Sequence, residues 1–355
     1  MKKNVPLYIL FIIFIILSIF DTEKMTNSAL NAISLWGNRV FPALFPFLFC
    51  TKSLLLLDVA PIFEKLLGWL FELLGFPRQG AYPFLVSVLG GYPAGMTTLK
   101  QMTELELLDD DSARALAPLC HTSGPIFVLG YAASITGYSG GMLLLCHLGG
   151  VVLCGLVFRL LSSGIKTCKR GKAEPASTVS DSRGSELKLG KLLVTACNQS
   201  ISTLLTVGGL IVFFSCLTSS LPLPNTVKAL FEMTNGLSMG LNPPFCAFLL
   251  SFSGLCIILQ ALALGPEKIK PMEFIGCRLI SGVFSAIFCA ISQACSIFVA
   301  ALSIAVCCFL VSLGIIWRTG RDCALPARRS LQDRTQAPQE RRLHKPWHRG
   351  GSPLR

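Results

Sequence analysis

Two apolar stretches of the sequence are interrupted by clusters of residues that break helices. Residues 90–95 read GGYPAG and residues 120–125 read CHTSGP. Glycine lacks a Cβ and proline lacks a backbone N–H, so neither segment can form an undisturbed helix. A helix broken at membrane depth frees backbone N–H and C=O groups, which are tolerated only when buried in protein or lining a cavity. With the neighbouring hydroxyl and imidazole groups, they could bind a polar solute.

The competing interpretation is that these breaks only pack, because small residues let helices approach closely in membranes. A packing kink needs one proline or glycine, whereas residues 90–95 hold four such residues around a tyrosine. Both interpretations stay open for both segments. The second half of the chain adds an acidic residue and an amide within or beside apolar runs. The candidate solute-binding residues are Gly91, Tyr92, Pro93, Gly95, His121, Thr122, Ser123, Gly124, Glu232 and Gln260.

Other ionisable residues also fall inside apolar runs. Arg39 lies in a proline-containing run, and His147 and Arg159 stand alone in an ordinary span. For His147 and Arg159 the sequence favours a capped or snorkelling side chain over a functional one. Such groups are costly in hydrocarbon and usually face a cavity or a partner.

The elements that carry these residues are membrane helices. Of 355 residues, 52% are hydrophobic and 14% are charged, whereas soluble domains average about 25% charged residues. The apolar residues gather in runs of the length that crosses a bilayer, about 20 helical residues. The longest run, between Arg278 and Arg318, should hold two spans with a turn at Ser292 and Gln293. The sequence therefore predicts an all-α, polytopic transmembrane bundle with Gly/Pro-broken or re-entrant helices.

Charge and cysteine content exclude several other classes of protein. The net charge of +12 comes from basic residues in the short non-apolar segments, which is the positive-inside pattern rather than a nucleic-acid surface. The 15 cysteines lie mostly inside apolar runs, and none form a C-x-x-C pair, so metal-ligand spacing is absent. No nucleophile, phosphate-binding or metalloprotease motif occurs. We expect no enzyme activity, no cofactor and no metal.

A basic, Ser- and Gly-rich stretch divides the apolar sequence into two halves. The interrupted run at residues 84–90 (FLVSVLG) resembles residues 248–254 (FLLSFSG), and paired broken segments in two halves indicate a transporter-like internal repeat. Chance similarity is the alternative. We expect residues 1–29 to be an uncleaved transmembrane anchor rather than a signal peptide. The other predicted units are a first membrane half (30–162), a basic cytoplasmic loop (163–190), a second membrane half (191–317) and a basic disordered tail (318–355).

Several short motifs resemble those of the YlbJ-type sporulation integral membrane proteins. Residues 36–47 (WGNRVFPALFPF) are similar to that family's entry helix, and residues 91–95 (GYPAG) to its Gly-Tyr-Pro-x-Gly motif. Residues 122–127 (TSGPIF), 232–236 (EMTNG) and 251–254 (SFSG, followed by Gln260) also match family patterns in order. The resemblance covers about residues 30–300. His121 stands where an amide or small polar residue is expected.

The resemblance implies a Gate, or nucleoside-recognition, domain and a role in endospore formation in a bacterium. The leading hypothesis is a multi-pass protein of the bacterial cell membrane, or of a forespore-associated membrane, that moves or senses a small polar solute. The alternative is a non-transporting scaffold for assembly of the spore cortex or coat, and a membrane enzyme ranks third. The expected partners are the lipid bilayer and that solute, with no nucleic acid.

The charge pattern also predicts topology. Both termini and the loop should be cytoplasmic because all three are basic, so an even number of crossings must precede the loop. Five apolar segments precede it, and one of the two interrupted segments should therefore enter and leave on the same side. Cysteine labelling at Ser177 and Ser330 tests the orientation: an impermeant reagent added from outside should label neither position. Labelling of either one would contradict the predicted topology.

Overall fold

The computed structural model describes residues 5–162 and 185–316, and this part of the chain is helical with no β-strand. The predicted loop and tail, and the basic residues before Val5, lie almost wholly outside it. We number the helices α1 to α15 in chain order. They are α1 (Val5–Phe20), α2 (Thr22–Leu56), α3 (Ala60–Leu73), α4 (Ala81–Gly90), α5 (Ala94–Glu104), α6 (Asp110–Leu116), α7 (Ile126–Thr136), α8 (Gly140–Leu161), α9 (Ser185–Ser220), α10 (Asn225–Phe231), α11 (Met233–Leu237), α12 (Pro243–Phe252), α13 (Gly254–Leu264), α14 (Pro271–Ala294) and α15 (Ile297–Ile316).

Six helical segments of the described chain are long and apolar enough to cross a membrane. They are α2, α8, the part of α9 from Leu189, α12 with α13, α14, and α15. The chain is therefore a multi-pass α-helical membrane protein, as the composition predicts.

Two boundaries predicted from the sequence do not coincide with helix ends in the structure. The predicted border at residue 29 falls inside α2, which begins at Thr22 and continues past Pro46 with one π-helical turn at Trp36–Val40. The turn between the last two spans lies at Cys295 and Ser296 rather than at Ser292 and Gln293. Serine and glutamine carry only a small helix penalty, so the helix runs through them.

The first interrupted segment forms a re-entrant hairpin, which we call hairpin 1 (α4 and α5). A Cβ on Gly95 in α5 would overlap the side chain of Ser87 in α4, so the two helices lie side by side. Gly80, just before α4, packs on Leu116 of α6, and α5 ends shortly before α6 begins. Both arms therefore open to the same end of the bundle.

A second hairpin, hairpin 2 (α10 and α11), enters from the opposite end. A Cβ on Gly236 would lie 2.6 Å from the Cβ of Ala229, so its two short helices also lie side by side. At this end the hydroxyl groups of Tyr131 and Tyr138 donate hydrogen bonds to the carbonyl groups of Thr234 and Leu241. We call this the tyrosine end.

The other end carries charged residues, and we call it the charged end. Glu273 of α14 accepts two hydrogen bonds from Arg114 of α6, at 2.6 and 2.8 Å. Lys268 pairs with Asp110, and the hydrogen bond and charge of Asp110 raise the pKa of Lys268. The ends of α8 and α15 lie together here: Phe158 lines a small pocket with Arg114 and Glu273, and a Cβ on Gly314 would contact Leu160.

The remaining elements complete two halves of opposite orientation. Each half contains a span, a hairpin, a broken span and a further span: α2, hairpin 1, residues 118–136 and α8, then α9, hairpin 2, α12–α13 and α14. The start of α2 contacts the end of α9, where Cys216 and Ser220 bond Met25. Likewise α8 runs antiparallel to α14, with Cys154 opposite Cys277 and Gly150 opposite Ser285. This is an inverted-topology arrangement.

The order of helices in the two halves does not match residues 84–90 with residues 248–254, although their sequences are similar. Residues 84–90 belong to a hairpin, whereas residues 248–254 belong to a broken span. Each of these two segments ends a helix at a break that contains a glycine, and Gly91 and Gly254 both have a φ of 73°. The similar sequences therefore correspond to a similar way of ending a helix. By topology, the break at residues 120–124 corresponds to Ser253, and the tip of hairpin 1 to Glu232.

The Arg114–Glu273 pair should stabilise the charged end because it is bidentate and only partly exposed. Arg114→Glu should lower the melting temperature of the purified protein, and Arg114→Glu with Glu273→Arg should recover part of the loss. We expect a coupling free energy of about 1 kcal/mol in a double-mutant cycle. Strictly additive effects of the two single changes would contradict a direct pairing.

Candidate functional site

The tips of both hairpins and the first broken span meet around one central cavity. Its volume is about 330 Å³, within the range of small-molecule sites. Of the ten candidate residues, six line it and four do not. The six are Gly91, Tyr92, Ser123, Gly124, Glu232 and Gln260. Pro93, Gly95, His121 and Thr122 lie outside the lining.

The tip of hairpin 1 packs directly on the break at residues 120–124. A Cβ on Gly91 would lie 2.6 Å from the backbone N of Gly124, so only glycine allows this approach. The break of the hairpin is shorter than the predicted 90–95, since Gly90 ends α4 and Ala94 begins α5. The two breaks are thus adjacent, and each supplies backbone to the cavity wall.

Thr122 faces hairpin 1 rather than the cavity. Its backbone N–H donates to the Oγ of Ser87 at 3.1 Å, and its hydroxyl donates to the carbonyl oxygen of Ser87 at 2.6 Å. Both side chains are fully buried. These bonds satisfy backbone groups that the breaks leave free, so Thr122 holds the hairpin to the broken span.

The tip of hairpin 2 packs on the break between α12 and α13. A Cβ on Gly254 would lie 3.0 Å from the backbone N of Met233. Glu232, only 1% exposed, accepts a hydrogen bond from the N–H of Thr234 at 3.0 Å. Gln260 lies on α13, two turns beyond this break, and its amide donates to the sulfur of Cys256. Glu232 and Gln260 therefore reach the cavity from the second half.

Tyr92 and His121 connect the two halves behind the cavity wall. The Tyr92 hydroxyl donates to the carbonyl oxygen of Leu250, and the rings of Tyr92 and His121 lie 4.4 Å apart. His121 Nε2 lies 3.0 Å from Ser253 Oγ. Because the Ser253 hydroxyl donates to the carbonyl of Phe252, the imidazole N–H is the donor in this contact. His121 is therefore a bridge between the broken spans.

His147 is also part of this polar network, and the prediction of an isolated, capped or snorkelling side chain was wrong for it. Its Nε2 accepts the backbone N–H of Ser123 at 2.8 Å, so the proton of a neutral ring sits on Nδ1. Nδ1 lies 2.7 Å from Ser251 Oγ, which lies 2.5 Å from Ser285 Oγ. The three residues tie the first break to α12 and α14. Arg159 fits the capped interpretation, because its Nε donates to the carbonyl of Gly75.

Arg278 is a buried residue that the sequence interpretation treated only as the border of an apolar run. It is 0% exposed and donates from Nη1 to the carbonyl oxygen of His121. The available signal was its spacing: Arg278, Ser281 and Ser285 repeat at i, i+3 and i+7, which places them on one helix face. A charged residue on a face shared with two serines indicates an inward orientation.

Helices α2 and α9 form the outer wall of the cavity. Trp36 Nε1 donates to the carbonyl oxygen of Leu204 at 3.1 Å and fixes the two helices together. Arg39, Val207 and Ile211 line the cavity from this side. Arg39 therefore faces the cavity, as its position in a proline-containing run suggests. In the described residues, no three His, Cys, Asp or Glu side chains gather to hold a metal ion.

Comparison with known proteins gives one informative similarity. The chain is similar to the sporulation integral membrane protein YlbJ of Bacillus subtilis (strain 168). The two are 26% identical over 338 residues, covering 81% of this chain and 82% of the relative. This supports a YlbJ-type protein. No family model matches the sequence, and no solved structure matches it.

The position of Gly95 favours the packing interpretation of the GYPAG segment over the solute-binding interpretation for this residue. It lies outside the cavity, and an added Cβ would overlap the carbonyl oxygen of Cys120 and the side chain of Ser87. Gly95→Ala should therefore destabilise the protein by about 1–3 kcal/mol through overpacking. We expect lower abundance in the membrane and a lower melting temperature. Gly209→Ala is the control, because a Cβ there meets nothing within 4 Å. Normal abundance of Gly95→Ala with lost function would instead indicate a direct role.

Proposed function

We propose that this chain is a sporulation-associated membrane protein that binds a small polar solute in the central cavity and moves or senses it. The observation that carries the proposal is the convergence of both hairpin tips and the first break on one cavity. Discontinuous helices are costly in lipid unless they line a cavity or are buried in protein. Here the breaks expose backbone and polar side chains to a space of solute size. The similarity to a sporulation integral membrane protein of Bacillus subtilis supplies the link to sporulation.

The polar groups around the cavity are few and come from both halves. The first half supplies Arg39, Tyr92, Ser123, Tyr131 and Ser134, and the second half supplies Glu232, Thr234 and Gln260. Most of the other lining residues are apolar, such as Phe47, Ile126 and Ile257. An apolar pocket with a small number of polar groups orients a ligand through those groups. A rocking motion of one half against the other would change the cavity's access while the site stays at the interface.

The resemblance to a Gate, or nucleoside-recognition, domain makes polar ring compounds the first solutes to test. Tyr92 lines the cavity, and its hydroxyl is engaged by Leu250, so its ring is held in place. An aromatic face of fixed orientation suits stacking on a planar ring.

Gln260 provides the sharpest test of the cavity as a binding site. It lines the cavity and is 2% exposed. Purified protein in lipid vesicles should take up or bind at least one labelled polar metabolite. Gln260→Met should weaken this by about tenfold, the effect of losing one buried polar contact of about 1.4 kcal/mol. Spore yield in a sporulating host should fall at unchanged protein level.

Gln101→Met is the matched control. Gln101 is also buried, at 7% exposed, but it lies on α5 outside the cavity lining. The Gln101→Met substitution should leave solute binding unchanged. Equal effects of the two substitutions, or no saturable binding across a metabolite screen, would contradict the proposal and favour a scaffold role in spore-envelope assembly.

A further inference from the structure

We propose that Arg278 holds a small monovalent anion of the chloride type behind the wall of the central cavity. The proposal concerns a second ligand and does not depend on solute transport. Arg278 does not line the cavity, so the anion site is separate from the candidate solute site. The two are connected through His121 and Tyr92.

The first observation is that most of the guanidinium group lacks a partner. Arg278 is 0% exposed, and Nη1 donates to the carbonyl oxygen of His121. Nε and Nη2 are buried and have no hydrogen-bond partner among the described residues. Buried polar groups are nearly always satisfied, and a guanidinium is always charged. These two donors therefore require an acceptor that the described protein does not supply.

The second observation is the lack of a counter-charge. In the described residues, no carboxylate forms an ion pair with Arg278. The acidic residue closest to it along α14 is Glu273, which already pairs with Arg114 and Lys270. An uncompensated charge at membrane depth costs several kcal/mol. A water molecule would accept the two N–H groups but would leave this charge in place, whereas an anion satisfies both requirements.

The surroundings indicate a small, single-atom anion. Ser281 lies one turn beyond Arg278 on the same helix face, and its buried hydroxyl also has no partner in the described protein. Phe274 lies one turn before, with its ring centroid 5.9 Å from the guanidinium carbon. Nε and Nη2 lie on one edge of the guanidinium, so one small anion can accept from both. In the proposed site the Ser281 hydroxyl is the third donor.

The experiment measures chloride binding directly. Purified protein in detergent is equilibrated with radiolabelled chloride, and its melting temperature is compared in chloride and in gluconate. We expect one saturable site and a rise of a few degrees in chloride, because a ligand that binds only the folded state stabilises it. Arg278→Gln should abolish both effects. Ser281→Ala should weaken chloride binding by about 3- to 10-fold through loss of one hydrogen bond.

The matched control is Ser200→Ala, a buried serine of α9 whose hydroxyl bonds its own helix at Ala196. It should leave chloride binding unchanged. Absence of saturable binding in the unmodified protein would overturn the proposal, as would equal binding by Ser281→Ala and Ser200→Ala. Comparison of Ser281→Ala with Ser200→Ala tests the anion site even if Arg278→Gln does not fold. Chloride binding without any solute uptake would leave this site standing while the proposed transport function fails.

Discussion

Lipid cannot hydrogen-bond to a broken helix, and this constraint organises the centre of the protein. The break at residues 120–124 frees backbone donors and acceptors, and specific side chains bond to three of them. Ser87 accepts the N–H of Thr122, His147 accepts the N–H of Ser123, and Arg278 donates to the carbonyl of His121. These partners come from three different helices, so the breaks can exist only when the bundle is assembled. The polar network is thus a condition of the fold as much as a feature of the site.

The glycines divide into two groups by what a side chain would meet. Gly91 and Gly254 sit at positive φ where two backbones touch, so they allow the breaks themselves. Gly95 and Gly150 lie in continuous helices and allow one helix to press on another. Of these four glycines, only Gly91 lines the cavity. A dense glycine motif therefore combines two roles, and its density alone does not identify which residues contact a solute.

The sequence predicts the broad architecture well because bilayer crossing imposes long apolar runs. Glycine and proline in residues 81–104 predicted an interrupted helix there, and the structure shows a helical hairpin. The register of the repeat could not be predicted in the same way. Residues 84–90 and 248–254 share a helix-ending pattern, and a local pattern carries no information on whether the next helix returns or continues. That choice depends on which neighbour satisfies the freed backbone groups.

Buried ionisable residues show the same limit. His147 looked isolated because its partners, Ser123 and Ser251, are 24 and 104 residues away. Arg278 marked the border of an apolar run, and a border position normally indicates the membrane surface. Periodicity on α14 was the one usable signal. Six of the ten candidate residues line the cavity. Of the other four, His121 and Thr122 hold the broken segments to their neighbours, and Gly95 lets α5 pack on α4.

The two ends of the bundle are held by different interactions, and this difference bears on how the cavity could change access. The charged end is closed by two ion pairs, Arg114–Glu273 and Lys268–Asp110. The tyrosine end is closed by single neutral hydrogen bonds from Tyr131 and Tyr138 to backbone carbonyls. Charge-assisted, bidentate bonds are stronger than neutral single ones. Hairpin 2 is also shorter than hairpin 1. The named interactions are therefore stronger at the charged end than at the tyrosine end.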